Sequence, residues 1–130
     1  MSHHRHVVTA LNAPAAVGPY SHAVAVNGLL FCSGQVPLDP ESATLVGDTP
    51  AEQARRCLEN LQLVVAAAGA TLADAVRMTI YVTDMGAFGE VNEAYAEYFP
   101  SEPPARVTIG VAALPLGAQV EMDAVVALPD

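Results

Sequence analysis

The chain of 130 residues has no lysine, no tryptophan, two cysteines and only 15% charged residues. Each shortage excludes something. Without lysine there can be no Schiff-base enzyme and no phosphate loop that depends on a lysine. Cys32 and Cys57 are too few for a disulfide framework and both lie in apolar runs, as in a chain that keeps its thiols reduced. Basic residues are scarce too. Five arginines face 14 acidic residues, for a net charge of −9, whereas nucleic-acid binding draws its affinity from Lys and Arg on phosphates. No nucleic-acid partner is expected. Long apolar runs are also missing: Leu63 to Ala73, broken only by Thr71, stops at Asp74 and is too short to span a bilayer. The start, Met-Ser-His-His-Arg-His, lacks the apolar segment of a signal peptide. The expectation is a cytoplasmic protein with no membrane partner.

What the chain has in abundance is hydrophobic surface. Hydrophobic residues make up 52% and mean hydropathy is +0.34, which excludes a disordered chain. The length suits one compact domain over residues 1–130. So few charges cannot cover so small a protein: either much of its outside is apolar or part of it lies against another copy.

Helix and strand signals alternate in a definite order. Thr49, Pro50 and Glu52 form a capping box with proline in the first helical position. Ala54, Cys57, Leu58, Leu61, Val64, Val65 and Ala68 then recur at helical spacing up to a stop at Gly69. A second helix is predicted from Asp84 as N-cap to about Phe99, before Pro100, with Phe88, Val91, Ala94, Tyr95, Tyr98 and Phe99 on its apolar stripe. Strands are predicted at 6–9, 21–26, 29–33, 75–83, 105–111 and 120–127, with Asn27-Gly28 as a hairpin turn. The order β-β-β-α-β-α-β-β makes an α+β fold with both helices on one sheet face.

The later strands are two-faced. Arg77, Thr79 and Tyr81 oppose Met78, Ile80 and Val82; Arg106 and Thr108 oppose Val107 and Ile109; Glu121 and Asp123 oppose Val120, Met122, Ala124 and Val126. In each strand the aliphatic set is expected under the helices and the polar set on the other face. That second face is either solvated or a shared, partly dry interface, and the shortage of charge favours the interface.

No catalytic triad, glycine-rich phosphate loop or metal-ligand spacing is present. His3, His4 and His6 lack the fixed geometry and fourth ligand that a metal site requires, so they read as a strand tip and no metal is expected. His22 could serve as a general base, but a structural histidine is the plainer reading.

Four short motifs stand out: Gly18-Pro19-Tyr20-Ser21-His22-Ala23, Ser33-Gly34-Gln35-Val36-Pro37, Pro104-Ala105-Arg106-Val107-Thr108 and Val120-Glu121-Met122-Asp123-Ala124. In this order, with Val91-Asn92-Glu93-Ala94-Tyr95 between them, they resemble the Rid family of reactive intermediate deaminases (RidA type, also called YjgF or L-PSP) over nearly the whole chain. The resemblance implies a chorismate-mutase-like fold and a homotrimer with sites between subunits. It also implies hydrolysis of 2-imino or enamine acids, such as 2-iminopropanoate derived from 2-aminoacrylate, to 2-oxo acids and ammonia, without a cofactor. Carried over by position, Arg106 grips the substrate carboxylate and Glu121 positions the water. Tyr20, Ser33, Gly34, Asn92 and Thr108 complete the binding site. Thr108 stands where the family often has cysteine, and His22 where a glutamine is common.

The chemistry is coherent on these residues. A guanidinium presents a planar donor fork to a carboxylate, and imines hydrolyse readily enough that positioning a water suffices. The plainer reading of Arg106 is an ion pair with Glu121 or Asp123 on neighbouring strands. Two other functions remain open: a non-catalytic binder of small 2-oxo acids, and a chaperone-like or translation-inhibiting protein.

Overall fold

The structure, a computed structural model, describes residues 4–130. Its elements follow the expected order: β1 (His6–Val8), β2 (Ala23–Val26), β3 (Leu29–Gln35), α1 (Pro50–Ala67), β4 (Ala75–Val82), α2 (Phe88–Ala96), β5 (Ala105–Gly110) and β6 (Val120–Ala127). Asn27 and Gly28, at φ 51° and 78°, make the tight turn from β2 to β3 that their side chains permit.

α1 is fixed at both ends. The Thr49 side chain accepts from the Glu52 amide, but the Glu52 carboxylate reaches past Thr49 to the amide of Asp48, so the expected box closes one residue early. At the other end the amides of Gly69 and Ala70 donate to the carbonyls of Ala66 and Val65, the bond pattern of a Schellman stop. The second helix starts later than its sequence suggests. Asp84 caps a short 3-10 turn, Met85–Ala87, by accepting from the Gly86 amide, and the α-helix begins only at Phe88. Gly86 and Gly89 lower helix propensity across that junction.

The strands form one six-stranded sheet in the order β1-β2-β3-β6-β4-β5, antiparallel except for β4 beside β5. Both helices are crossovers between parallel strands, α1 between β3 and β4 and α2 between β4 and β5. Both helices cover the same face, with Leu58, Leu61, Val64 and Val91 packed over Leu30, Met78, Ile80 and Met122 in one core. The other face is bare. There Tyr81, Asp123 and Glu121 lie among the exposed apolar side chains of Phe31, Val107 and Ile109, and the Tyr81 hydroxyl donates to Asp123 Oδ2 at 2.8 Å. Among the described residues no helix is long and apolar enough to cross a membrane.

One expectation about faces is overturned. Arg106 lies beside Met78 and Thr108 beside Ile80, so in β5 the polar pair is on the helix side and Val107 and Ile109 are on the bare face. β5 is the sheet edge, where α2 only partly covers the strand, and a guanidinium can lie along that helix with its head in water.

Candidate functional site

The predicted site residues fall into two groups. The first surrounds a cleft of about 510 Å³ whose lining includes Tyr20, Ser33, Gly34 and Glu121. A bulge in β3 builds its floor. Cys32 pairs with Ala124 and Gln35 with Met122, so Ser33 and Gly34 together span the place of one partner residue. Gly34 leaves room for the Glu121 carboxyl to lie directly over it, and a Cβ there would meet Glu121 Oε2 and displace it. The Glu121 carboxyl is partly buried. Burial pushes its pKa above the ordinary value, and the nearby Asp123 carboxylate pushes it further.

The cleft walls are tied down by side chains whose roles are not evident in the sequence. The Ser33 hydroxyl donates to the Ser21 carbonyl at 2.6 Å, which holds the segment carrying Tyr20 against β3. His22, 6% exposed, accepts from the Ala10 amide through Nδ1 at 3.0 Å and bonds the Pro14 carbonyl through Nε2 at 2.8 Å. Those partners require Nε2 to carry the proton. With both ring nitrogens engaged, His22 is a structural clamp and not a base. From α1, fully buried Asn60 donates to the carbonyls of Val36 and Leu38 and accepts from Arg56. Gln53, also buried, links the Gly47 carbonyl to the Gln119 amide just ahead of β6.

The second group lies at the β5 edge. Arg106 Nη1 donates to Asn92 Oδ1 at 2.7 Å, and its guanidinium carbon sits 5.0 Å from the Tyr95 ring centre and 5.5 Å from that of Phe88. Two aromatic faces and one amide thus seat a cation that stays exposed. Thr108 follows two residues on along the same face. Phe88 and Tyr95 were legible only as core positions, although 88, 92 and 95 fall at i, i+4 and i+7 on one helix face.

Arg106 and Glu121 do not meet within one chain. They lie on opposite faces of the sheet with β4 between their strands. The ion pair of Arg106 with Glu121 or Asp123 is therefore ruled out inside the chain, and so is a single-chain site holding both. The remaining candidates have simple placements. Cys32 and Cys57 are buried free thiols, with burial pushing Cys32 up to about 12 and Cys57 also upward, so neither is a thiolate nucleophile. His6 begins β1, an edge strand, and His3 lies outside the described residues. Among the described residues no cluster of three or more potential ligands could hold a metal ion.

Residues 10–128 match a protein family described as Endoribonuclease L-PSP. The chain is 50% identical over 115 residues to Protein DfrA of Myxococcus xanthus, covering 87% of this chain and 88% of that protein. It is 46% identical over 121 residues to the mouse 2-iminobutanoate/2-iminopropanoate deaminase, covering 93% of this chain and 90% of the deaminase. Among solved structures, E. coli TdcF with bound serine superposes with a TM-score of 0.90 at 33% identity, over 95% of this chain and 99% of that one.

Proposed function

The chain belongs to the Rid family, and from that premise we propose that it is a hydrolytic deaminase of reactive 2-imino and enamine acids, acting at sites shared between the subunits of a homotrimer. The observation that carries this reading is the partly buried Glu121 carboxyl seated over Gly34 on the floor of a cleft. The identity shared with a mammalian imine deaminase supports it. Water is the only co-reactant, and no cofactor enters.

The opposite placement of Arg106 and Glu121 supports assembly. A substrate of a few atoms cannot touch both faces of one sheet, so Arg106 of one copy must approach the Glu121 cleft of the next. Such a head-to-tail contact closes into a ring of three when each copy is turned by a third of a circle from the last, and the exposed Phe31, Val107 and Ile109 on the bare face supply apolar surface for it to bury. In the assembled site the Arg106 fork takes the substrate carboxylate through two charge-assisted bonds worth about 1.5–3 kcal/mol each. Asn92, Phe88 and Tyr95 keep the fork aimed. Glu121 accepts a proton from water as its oxygen attacks the imine carbon, and passes that proton to the imine nitrogen to give a carbinolamine. Glu121 then takes the carbinolamine hydroxyl proton and delivers it to the amine, so that the C–N bond breaks to leave the 2-oxo acid and ammonia and Glu121 is again a carboxylate. Its raised pKa makes it a better base than an ordinary carboxylate.

A non-catalytic binder of small 2-oxo acids is the second reading, favoured by the serine bound to the related TdcF. Glu121 weighs against it, since a pure anion binder gains nothing from a buried carboxylate. RNA cleavage, suggested by the family's description, fits poorly with a net charge of −9 and with two of the five arginines paired to Glu97 and Glu59. The test is a coupled assay in which a dehydratase acting on serine generates 2-iminopropanoate. Faster conversion to pyruvate with the protein present supports the deaminase; an unchanged rate overturns it.

A further inference from the structure

The bare sheet face carries a charge arrangement that folding does not ask for. β6 runs through the middle of the sheet, and Glu121 and Asp123, two residues apart on it, project from the same face. Among the described residues neither carboxylate is in an ion pair, the salt bridges being those of Arg55 with Glu97 and Arg56 with Glu59. Arg77 stands on the same side of β4, yet it pairs with neither. In a chain of net charge −9, two neighbouring carboxylates with no cation between them oppose folding.

A tyrosine fixes the second carboxylate in place. Tyr81 stands opposite Glu121 across the β4–β6 ladder and Thr79 opposite Asp123, so the Tyr81 side chain leans along the ladder to donate to Asp123 Oδ2 at 2.8 Å. Long side chains reach such diagonal neighbours readily. That bond, with burial and the charges of Asp123 and Glu121, raises the Tyr81 hydroxyl above its ordinary pKa, so it remains a donor. These contacts lie within one chain and persist when a second subunit covers the face. Excluding water there strengthens the field between the carboxylates.

The other groups around Glu121 do not replace Asp123. β3 and the segment before β2 offer uncharged Ser33, Gly34, Gln35 and Tyr20. Cys32 is kept a neutral thiol by burial and by Asp123, and Cys57 of α1 by burial and by Glu121. In the proposed assembly Arg106 of the next copy favours an ionised Glu121, and such a carboxylate gives up protons readily but takes them poorly. We infer that Asp123 is a positioning residue of the site, held by Tyr81 so that its charge faces Glu121 and lets that carboxyl take a proton from water as well as return it near neutral pH. The inference rests on the proposed deaminase reading for the reaction and on the strand register for the tuning.

The experiment follows the Glu121 carboxyl in two ways in the full-length protein. One is the acid limb of the pH profile of kcat/KM in the imine assay. The other is an NMR titration of isotope-labelled glutamate carboxyls, the Glu121 signal being the one missing from Glu121→Gln. Asp123→Asn keeps the side-chain shape and an acceptor for Tyr81, and should lower both midpoints by about half a pH unit or more. It should melt at or above the parent temperature at pH 7, because a like charge is gone. Tyr81→Phe should lower both midpoints by less, since Asp123 is then free to turn aside, and should add nothing in an Asp123→Asn background. Unchanged midpoints in folded Asp123→Asn overturn the inference while the deaminase stands. A further shift on adding Tyr81→Phe to Asp123→Asn overturns the role given to Tyr81. If no imine is hydrolysed but the NMR midpoint falls in Asp123→Asn, the tuning stands and the deaminase falls.

Discussion

At the residue scale, Glu121 and Arg106 do different work in the proposed mechanism and should fail differently. The working form of Glu121 is the carboxylate, and burial with Asp123 nearby raises its pKa. Activity is therefore expected to be lost, as pH falls, at a higher pH than an unperturbed carboxylate would give; a pH–rate profile of kcat/KM reads this directly. The same shift means that ionised Glu121 opposes folding above its folded-state pKa. Glu121→Gln should thus melt at or above the parent temperature at pH 7 while turning over imines slowly and still binding 2-oxo acids. Arg106→Lys keeps the charge but loses the planar fork, so both binding and turnover should drop, as calorimetry with pyruvate and the imine assay will show. With burial raising both thiol pKa values, a Cys32→Ala, Cys57→Ala double variant is expected to retain the activity of its folded fraction. Complete loss in a folded variant would contradict the water-based mechanism.

At the element scale, the site depends on ties between α1 and the loops it overlooks. Asn60 is buried and holds the carbonyls of Val36 and Leu38 while accepting from Arg56. Asn60→Ala leaves those groups unpaired and should cost about 2 kcal/mol in urea unfolding, with a lower kcat/KM because Val36 and Leu38 line the cleft. Much of this scale was legible beforehand. The order of elements and the apolar face of α1 follow from periodicity and caps, and Asn27-Gly28 marks its turn by composition alone. Alternation in β5 revealed two faces but not which one met the helices. Parity is symmetric, and the deciding interaction, Arg106 lying along α2 over Tyr95 and Phe88, is a tertiary one. The structural reading of His22 holds, but the groups that His22, Gln53 and Asn60 clamp were invisible for the same reason: a polar side chain in a sequence does not disclose which distant backbone group it satisfies. The motifs picked out the residues that gather at the cleft and at the β5 edge, whereas their division between two sheet faces needed the strand register.

At the scale of the whole molecule, that division makes assembly part of the proposed chemistry. A chain with 52% hydrophobic residues and a bare sheet face has surface to bury, and in the proposed mechanism a lone copy holds only two incomplete halves of a site. The most direct measurement mixes two disabled proteins, Arg106→Lys and Glu121→Gln, unfolded together and refolded at equal amounts. Where a subunit with intact Arg106 faces a neighbour with intact Glu121, the site is whole. Random assembly produces this at about one site in four for a closed ring of equivalent contacts. The expected result is recovery of about a quarter of parent deaminase activity in the mixture, with each variant alone nearly inactive. A mixture no more active than its components, although light scattering and mass spectrometry show mixed trimers, would contradict the account.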